Sequence, residues 1–300
     1  MQKLRAYLQL LRFPAVFSAM SNIALGYLLW NEDAFYDWSE IRSFLLLLGS
    51  SSCLYLSGMA LNDLFDRHED SVKRPGRPIP SGRVSVAAAT LVAMGLMAIG
   101  LLLAAVAGIW SLAVAVAIAI FVLLYDGLFK NTLAGPILMG ACRSLNVLLG
   151  ASGTGVWKEP ETGAAIALGI YIVGVTYFAR REEEASDPSF LAWSAMIANA
   201  GLLLMGCLVL FIPRSTAPPT HGLAVVAFLP LVFAINKAFR NAIRTPTPEL
   251  VQAAVKRSLL SIILLDATLI LARTGRIEYA LMTALLLIPS YFIAKWIYVT

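Results

Sequence analysis

The sequence predicts an all-α protein: a polytopic bundle of transmembrane helices whose polar loops cap one end. Three observations carry that expectation. The composition is 59% hydrophobic and only 14% charged, where soluble domains carry about a quarter charged residues. Apolar runs near the ~20 residues that cross a bilayer recur from end to end of the chain. The charged residues gather between those runs, and no polar block is long enough for a separate soluble domain, so residues 1–300 read as one transmembrane domain. The first run has no small-residue cleavage site after it and leads into further spans, so no cleavable signal peptide is expected.

Taken in order, a short amphipathic start (1–11) precedes Arg12-Phe13-Pro14 and a first span over about 14–30. An acidic loop with Glu32, Asp33, Asp37 and Glu40 leads to span two, about 41–61. Spans three and four, about 85–109 and 110–124, follow each other directly and end in a polar turn, 127–136. Spans five to eight are expected at about 137–155, 163–179, 190–212 and 223–238. A basic segment, 240–257, precedes a run at 258–272 and a last run at 279–299. The count is nine or ten spans, because 258–272 reads either as a short span or as part of a tilted one.

Lysines and arginines fall sixteen on the side of the N-terminus and of the loops after spans two, four, six and eight, against five on the other. The positive-inside rule puts the richer side in the cytoplasm. The balance of +5 therefore reflects topology, and no basic block is interleaved with aromatics as a nucleic-acid surface needs. Cys53, Cys142 and Cys207 lie in apolar runs as packing residues, and His68 and His221 have no partners at metal-ligand spacing.

The loop after span two holds the densest chemistry. Asn62, Asp66 and Asp70 stand at i, i+4 and i+8, a ladder of oxygens on one helical face, with Asp63 beside it. Lys73, Arg74, Arg77 and Arg83 follow at once in a chain stiffened by Pro75, Pro78 and Pro80. Carboxylates for a hard cation next to guanidinium forks make a site for a metal-bound polyphosphate. Two further residues fall inside the bundle: Arg143 in span five, and Asn146 one turn on. An arginine in hydrocarbon costs about 3 kcal/mol or more and usually marks a site. Its alternative is a structural pair with a buried carboxylate, Asp266 or Asp126.

The pattern Asn62-Asp63-x-x-Asp66-x-x-x-Asp70, followed by Arg74-Pro75-x-Arg77-Pro78-Ile79-Pro80-Ser81-Gly82, resembles the first motif of the UbiA superfamily of membrane prenyltransferases. The flanks Ser57-Gly58-Met59-Ala60-Leu61 and Met139-Gly140-Ala141-Cys142-Arg143 are most similar to its EboC-type branch. The superfamily is usually described with nine membrane helices. The resemblance implies transfer of a prenyl group from an isoprenyl diphosphate, with Mg²⁺, to a small acceptor that the sequence leaves unidentified. The first Mg²⁺ would lie on Asn62, Asp66 and Asp70, with Asp63 as a further ligand or a support. The residues implied to carry the chemistry are Asp66, Asp70, Lys130 and Arg143, with Arg74, Arg77, Lys130 and Arg143 on the diphosphate, or Arg143 orienting the acceptor instead.

A second acidic motif is expected after span six, and here the chain departs from the family. Arg180 stands where the first aspartate belongs, and Glu183, Glu184 and Asp187 supply the carboxylates. They read as a second Mg²⁺ site with Arg180 touching phosphate directly, or as i, i+4 charge pairs at a solvated helix end. Lys130 and Arg12 match basic residues of the family near the diphosphate and at the opening of span one; each also reads as a snorkelling interface residue. Two further functions share the bundle: a flippase or transporter of a lipid-linked metabolite, and transfer of a non-prenyl group from a diphosphate donor. One-sided charge argues against the first, since alternating access favours a polar site at mid-membrane.

Overall fold

A computed structural model of the chain describes residues 2–31, 34–180, 187–211 and 221–298. Every regular element among them is helical. The short amphipathic α1 (Gln2–Leu10) is followed by a 3₁₀ turn, Phe13–Ala15, that runs into α2 (Val16–Trp30). Then come α3 (Trp38–Phe65), the short α4 (Arg67–Lys73), α5 (Val86–Ala107) and α6 (Ile109–Leu124), which ends in a π-helical turn, Tyr125–Phe129. The rest are α7 (Gly135–Gly150), α8 (Glu159–Ala179), α9 (Pro188–Phe211), α10 (His221–Arg244), α11 (Pro248–Thr274), α12 (Ile277–Ala284) and α13 (Leu287–Tyr298).

Eight helical stretches among the described residues are long and apolar enough to cross a membrane. Two helices packed among them fall outside that set. Helix α7 has only 16 residues and carries Arg143, and α11 carries Lys256, Arg257 and Asp266. The run expected at 258–272 is thus the inner part of one 27-residue helix rather than a short span of its own. The basic segment 240–257 is itself helical except for a turn at 245–247, where α10 gives way to α11. The last run breaks between α12 and α13, with Pro289 in the first turn of α13.

The local starts and stops have identifiable causes. Asp37 begins α3 by accepting the Glu40 amide at 3.0 Å and the Ser39 hydroxyl at 2.6 Å. Those two bonds, the hydroxyl's first, hold its carboxyl below the ordinary aspartate value. A single residue, Gly108 at φ 155°, joins α5 to α6 and lets the chain reverse directly.

Successive helices pack side by side: α3 on α5, α7 on α8, α8 on α9 and α10 on α11. The set closes because both α7 and α11 pack on α2, the most enclosed of the spans. The α2–α7 contact is backbone on backbone. A Cβ added to Gly26 would stand 1.9 Å from the Val147 carbonyl, and one on Gly150 would stand 2.5 Å from the Ile23 carbonyl. Close approach of this kind is how small residues join membrane helices. Here it sets Ser18 and Asn22 of α2 beside Arg143 of α7.

Candidate active site

A cavity of about 610 Å³ lies between α2, α3, α6, α7, α8 and α11. Its walls are mostly apolar: Leu54, Met59, Ile118, Val122, Met139, Ile172 and Val175. Its two ends are polar. On α3, Ser51 at one end lies fifteen residues before Asp66 at the other, about 22 Å at helical rise.

The mouth gathers Arg12, Asn62, Asp66, Arg74, Arg77, Asp126, Lys130 and Arg180. Arg12 sits in the left-handed region, φ 43° and ψ 45°, at the start of the 3₁₀ turn. A non-glycine residue keeps that conformation only where its surroundings hold it. Its guanidinium donates to Asn62 Oδ1 at 3.1 Å and to Asp63 Oδ1 at 3.2 Å. Asn62 Nδ2 in turn donates to Asp126 Oδ1 at 2.7 Å. Lys130 pairs with Asp66. Arg180 donates to the Asn131 carbonyl at 2.5 Å, and the Tyr177 hydroxyl donates to the Leu133 carbonyl at 2.6 Å. Those two bonds bring the end of α8 against the turn that carries Lys130.

The ladder of oxygens does not stay on one face. Helix α3 stops at Phe65, Asp66 is the joint (φ −79°, ψ −4°), and α4 restarts at Arg67. Asn62 and Asp66 line the cavity. Asp63 and Asp70 are buried against arginines instead: Arg77 donates to Asp70 Oδ2 at 2.6 Å and to Asp63 Oδ1 at 3.2 Å. The return of the chain that makes this possible is pinned where Arg83 donates to the Gly76 carbonyl at 2.6 Å and to Gln9 of α1 at 2.7 Å. Among the described residues no three acidic, histidine or cysteine side chains cluster as a metal cage. The donors at the mouth nevertheless fit Mg²⁺, a hard cation that takes one or two protein oxygens and fills its other positions with water and phosphate oxygens.

The closed end is built differently. Arg143 donates to Asn22 Oδ1 at 3.0 Å and to Ser18 Oγ at 3.1 Å, and lies 5.1 Å over the Tyr55 ring. Asn22 Nδ2 and Ser21 Oγ both donate to Asp266 Oδ2, at 2.7 and 2.6 Å. Neither candidate carboxylate therefore pairs directly with Arg143; Asn22 stands between it and Asp266, and Asp126 serves the mouth. Asn146 accepts from Ser51 Oγ at 2.7 Å and donates to the Ala19 carbonyl at 2.9 Å.

All seven side chains expected to touch substrate, Arg12, Arg74, Arg77, Lys130, Arg143, Asn146 and Arg180, line this one cavity. Glu183 and Glu184 lie outside the described residues. Asp187 caps α9, accepting the amides of Ser189 at 3.2 Å and Phe190 at 3.3 Å. Sequence reasoning did not place Asp126, Asn22 or Tyr55 at the site. The available signal for Asp126 was a carboxylate at the very end of an apolar run, four residues before Lys130.

Residues 19–260 match the UbiA prenyltransferase family. The chain belongs to that family. This UbiA-family chain is 30% identical to the digeranylgeranylglyceryl phosphate synthase of Saccharolobus solfataricus over 148 residues, 49% of its own length and 51% of the relative's. It is 42% identical to the synthase of Methanopyrus kandleri over 90 residues, 28% and 33% of the two chains. It thus spans about half the length, or less, of the curated relatives it matches. The fold is shared with a solved UbiA homolog from Archaeoglobus fulgidus bound to DMAPP and Mg²⁺, at TM-score 0.62 and 18% identity, covering 93% of this chain and 98% of that one. A structure concerned with digeranylgeranylglyceryl phosphate synthase in membranes gives TM-score 0.63 at 19% identity, covering 95% and 99%.

Proposed function

We propose that this chain transfers a prenyl group, with Mg²⁺, from an isoprenyl diphosphate to a small acceptor inside the membrane. One observation carries the reading: a single greasy cavity whose mouth combines five cationic side chains with the oxygens of Asn62 and Asp66. A diphosphate with an apolar tail has this division of chemistry. Membership of the family and the likeness to a homolog bound to DMAPP and Mg²⁺ support it. The charge asymmetry of the loops supports a mouth that opens to the cytoplasm. The motif flanks support the EboC-type branch.

Asn62 and Asp66 would hold the cation, which when bound neutralises the charge that builds on the departing diphosphate. Arg74, Arg77, Lys130, Arg180 and Arg12 bind and orient the diphosphate oxygens. Asp66 and Lys130 are mutual partners here, and a diphosphate offers Lys130 a second anion. The apolar wall holds the prenyl chain and excludes water from the allylic carbon as positive charge develops there. Tyr55, whose ring lies under the Arg143 guanidinium, belongs to the same wall. Arg143 and Asn146 at the closed end orient the acceptor. Asp63 and Asp70 act through Arg12 and Arg77, fixing the two guanidinium groups at the mouth.

The test is transfer by the purified protein in nanodiscs, with radiolabelled geranylgeranyl diphosphate, Mg²⁺ and a lipid extract as acceptor source. Label should move into a new lipid, chelation should abolish the transfer, and Asp66→Ala should reduce it roughly 100-fold or more. Movement of lipid between leaflets without any new product would favour a flippase and overturn this reading. Label left in the donor while another group is transferred would favour a different diphosphate donor.

A further inference from the structure

Asp126 is a buried carboxyl that the reaction above does not use. It is 9% exposed, lines the mouth of the cavity, and is carried there by the π-helical turn Tyr125–Phe129. Such turns insert one residue into a helix, re-aim the side chains that follow, and are common at functional sites. Here the turn sets Asp126 Oδ1 2.7 Å from Asn62 Nδ2.

The chemistry of the neighbours fixes what this bond does. An amide side chain has one accepting and one donating end, and either can face a given partner. Asn62 lies between a pure donor, Arg12, and a carboxyl oxygen that accepts. Its Oδ1 must face Arg12 and its Nδ2 must face Asp126. A divalent cation makes the same demand as Arg12, since it too requires Oδ1. When a diphosphate draws Arg12 away, Asp126 is the partner among the described residues that still holds the amide in the ligating orientation.

We propose that Asp126 is a positioning residue: by accepting from Asn62 Nδ2, it keeps Asn62 Oδ1 turned toward the divalent-cation site. The proposal rests on the reading that a cation binds at the mouth, and it adds that this cation's affinity depends on a side chain that does not touch it. Partners that orient a ligand in this way typically change metal affinity 10–100-fold when removed.

The experiment measures Mn²⁺ binding by electron paramagnetic resonance, with inorganic pyrophosphate in place of the prenyl donor, so that no turnover is involved. Asp126→Ala should weaken Mn²⁺ roughly 10-fold, and Asp126→Val, which keeps the volume, should do the same should the alanine variant fold poorly. In an Asn62→Ala background, Asp126→Ala should have no further effect. The proposal is overturned by unchanged binding in Asp126→Ala and Asp126→Val, or by additive losses in the double variant. Absence of Mn²⁺ binding in the parent protein would remove the cation site itself and the proposed function with it, whereas parent-like binding in Asp126→Ala would remove this inference alone.

Discussion

The two ends of the cavity use the same three-residue device in different surroundings. At the mouth the chain of partners is Arg12, Asn62, Asp126; at the closed end it is Arg143, Asn22, Asp266. In both, an asparagine stands between a guanidinium and a carboxyl and passes a hydrogen bond from one to the other. The mouth is wet and crowded: Arg12 is 37% exposed along its side chain, and Asp63, Asp66, Lys130 and Arg77 lie close by. The closed end is dry. Asn22 and Asp266 have no exposure, and no second cation shares the cluster among the described residues. A crowded network can change partners when substrate arrives, whereas an isolated one is held to a single arrangement. The comparison assigns exchange of ligands to the mouth and fixed orientation to the floor.

The largest expected effect comes from making one substitution at both ends. Asp266→Ala strips Ser21 and Asn22 of their acceptor and removes the carboxyl that Asn22 links to Arg143. Leaving two buried donors without their acceptor costs about 1–3 kcal/mol each. Asp126→Ala exposes the Asn62 amide to a cavity that water can enter, so the loss should be nearer 1 kcal/mol. Chemical unfolding of the two variants in detergent measures both. Equal losses would end the distinction between a dry floor and a wet mouth.

An intermediate effect follows from the packing that builds the floor. At Gly26 even a methyl group would stand 1.9 Å from the Val147 carbonyl. Gly26→Ala must push α2 away from α7, and overpacking of this kind costs about 1–3 kcal/mol. Because Ser18 and Asn22 ride on α2, the shift should spoil the hold on Arg143, while Asn62 and Asp66 of α3 and Asp126 of the turn after α6 stay in place. Pyrophosphate-dependent Mn²⁺ binding should therefore survive a loss of thermal stability in this variant. Parallel loss of both would show that the two ends are one cooperative unit.

This contrast also explains what could be read from the sequence. Helices and charged ends follow from composition and run length, so the bundle and all the cationic side chains of the mouth were accessible. The ladder Asn62, Asp66, Asp70 was read as one helical face, but the helix breaks at Asp66 and turns Asp70 toward Arg77. A one-residue joint has no signature in an i, i+4 pattern. Asp126 was hidden for a similar reason, because the π turn that aims it is not predicted by apolar periodicity. Ser18, Ser21 and Asn22 look like small polar residues scattered in an apolar run; only the fold reveals that Ser18 and Asn22 face Arg143 and that Ser21 and Asn22 face Asp266. Asp266 and Asp126 were both recognised as scarce buried carboxyls, yet the asparagine that links each to its arginine cannot be assigned without the fold.

The smallest expected effect lies on α4, where neighbouring carboxyls have opposite surroundings. Asp70 is 4% exposed along its side chain and takes a 2.6 Å bond from Arg77, whereas Glu69 is 53% exposed and takes a 2.8 Å bond from Lys73 four residues on. The Lys73 hydrogen bond, and then its charge, hold the Glu69 carboxyl below its ordinary value near 4.5. A carboxyl lowered on folding adds stability above its unfolded value and loses it as pH falls through the folded value. Its contribution should therefore be constant from pH 7 down to about 5 and disappear only below that. An exposed i, i+4 pair is worth a few tenths of a kcal/mol at most, and salt screens it further. Glu69→Gln should accordingly leave both the melting temperature at pH 7 and cation binding unchanged. Asp70→Asn, one residue away, should weaken pyrophosphate binding, because it releases the Arg77 guanidinium from the mouth. If the Glu69 variant proved as damaging as the Asp70 variant, exposure would not be what separates supporting charges from solvated ones at this rim.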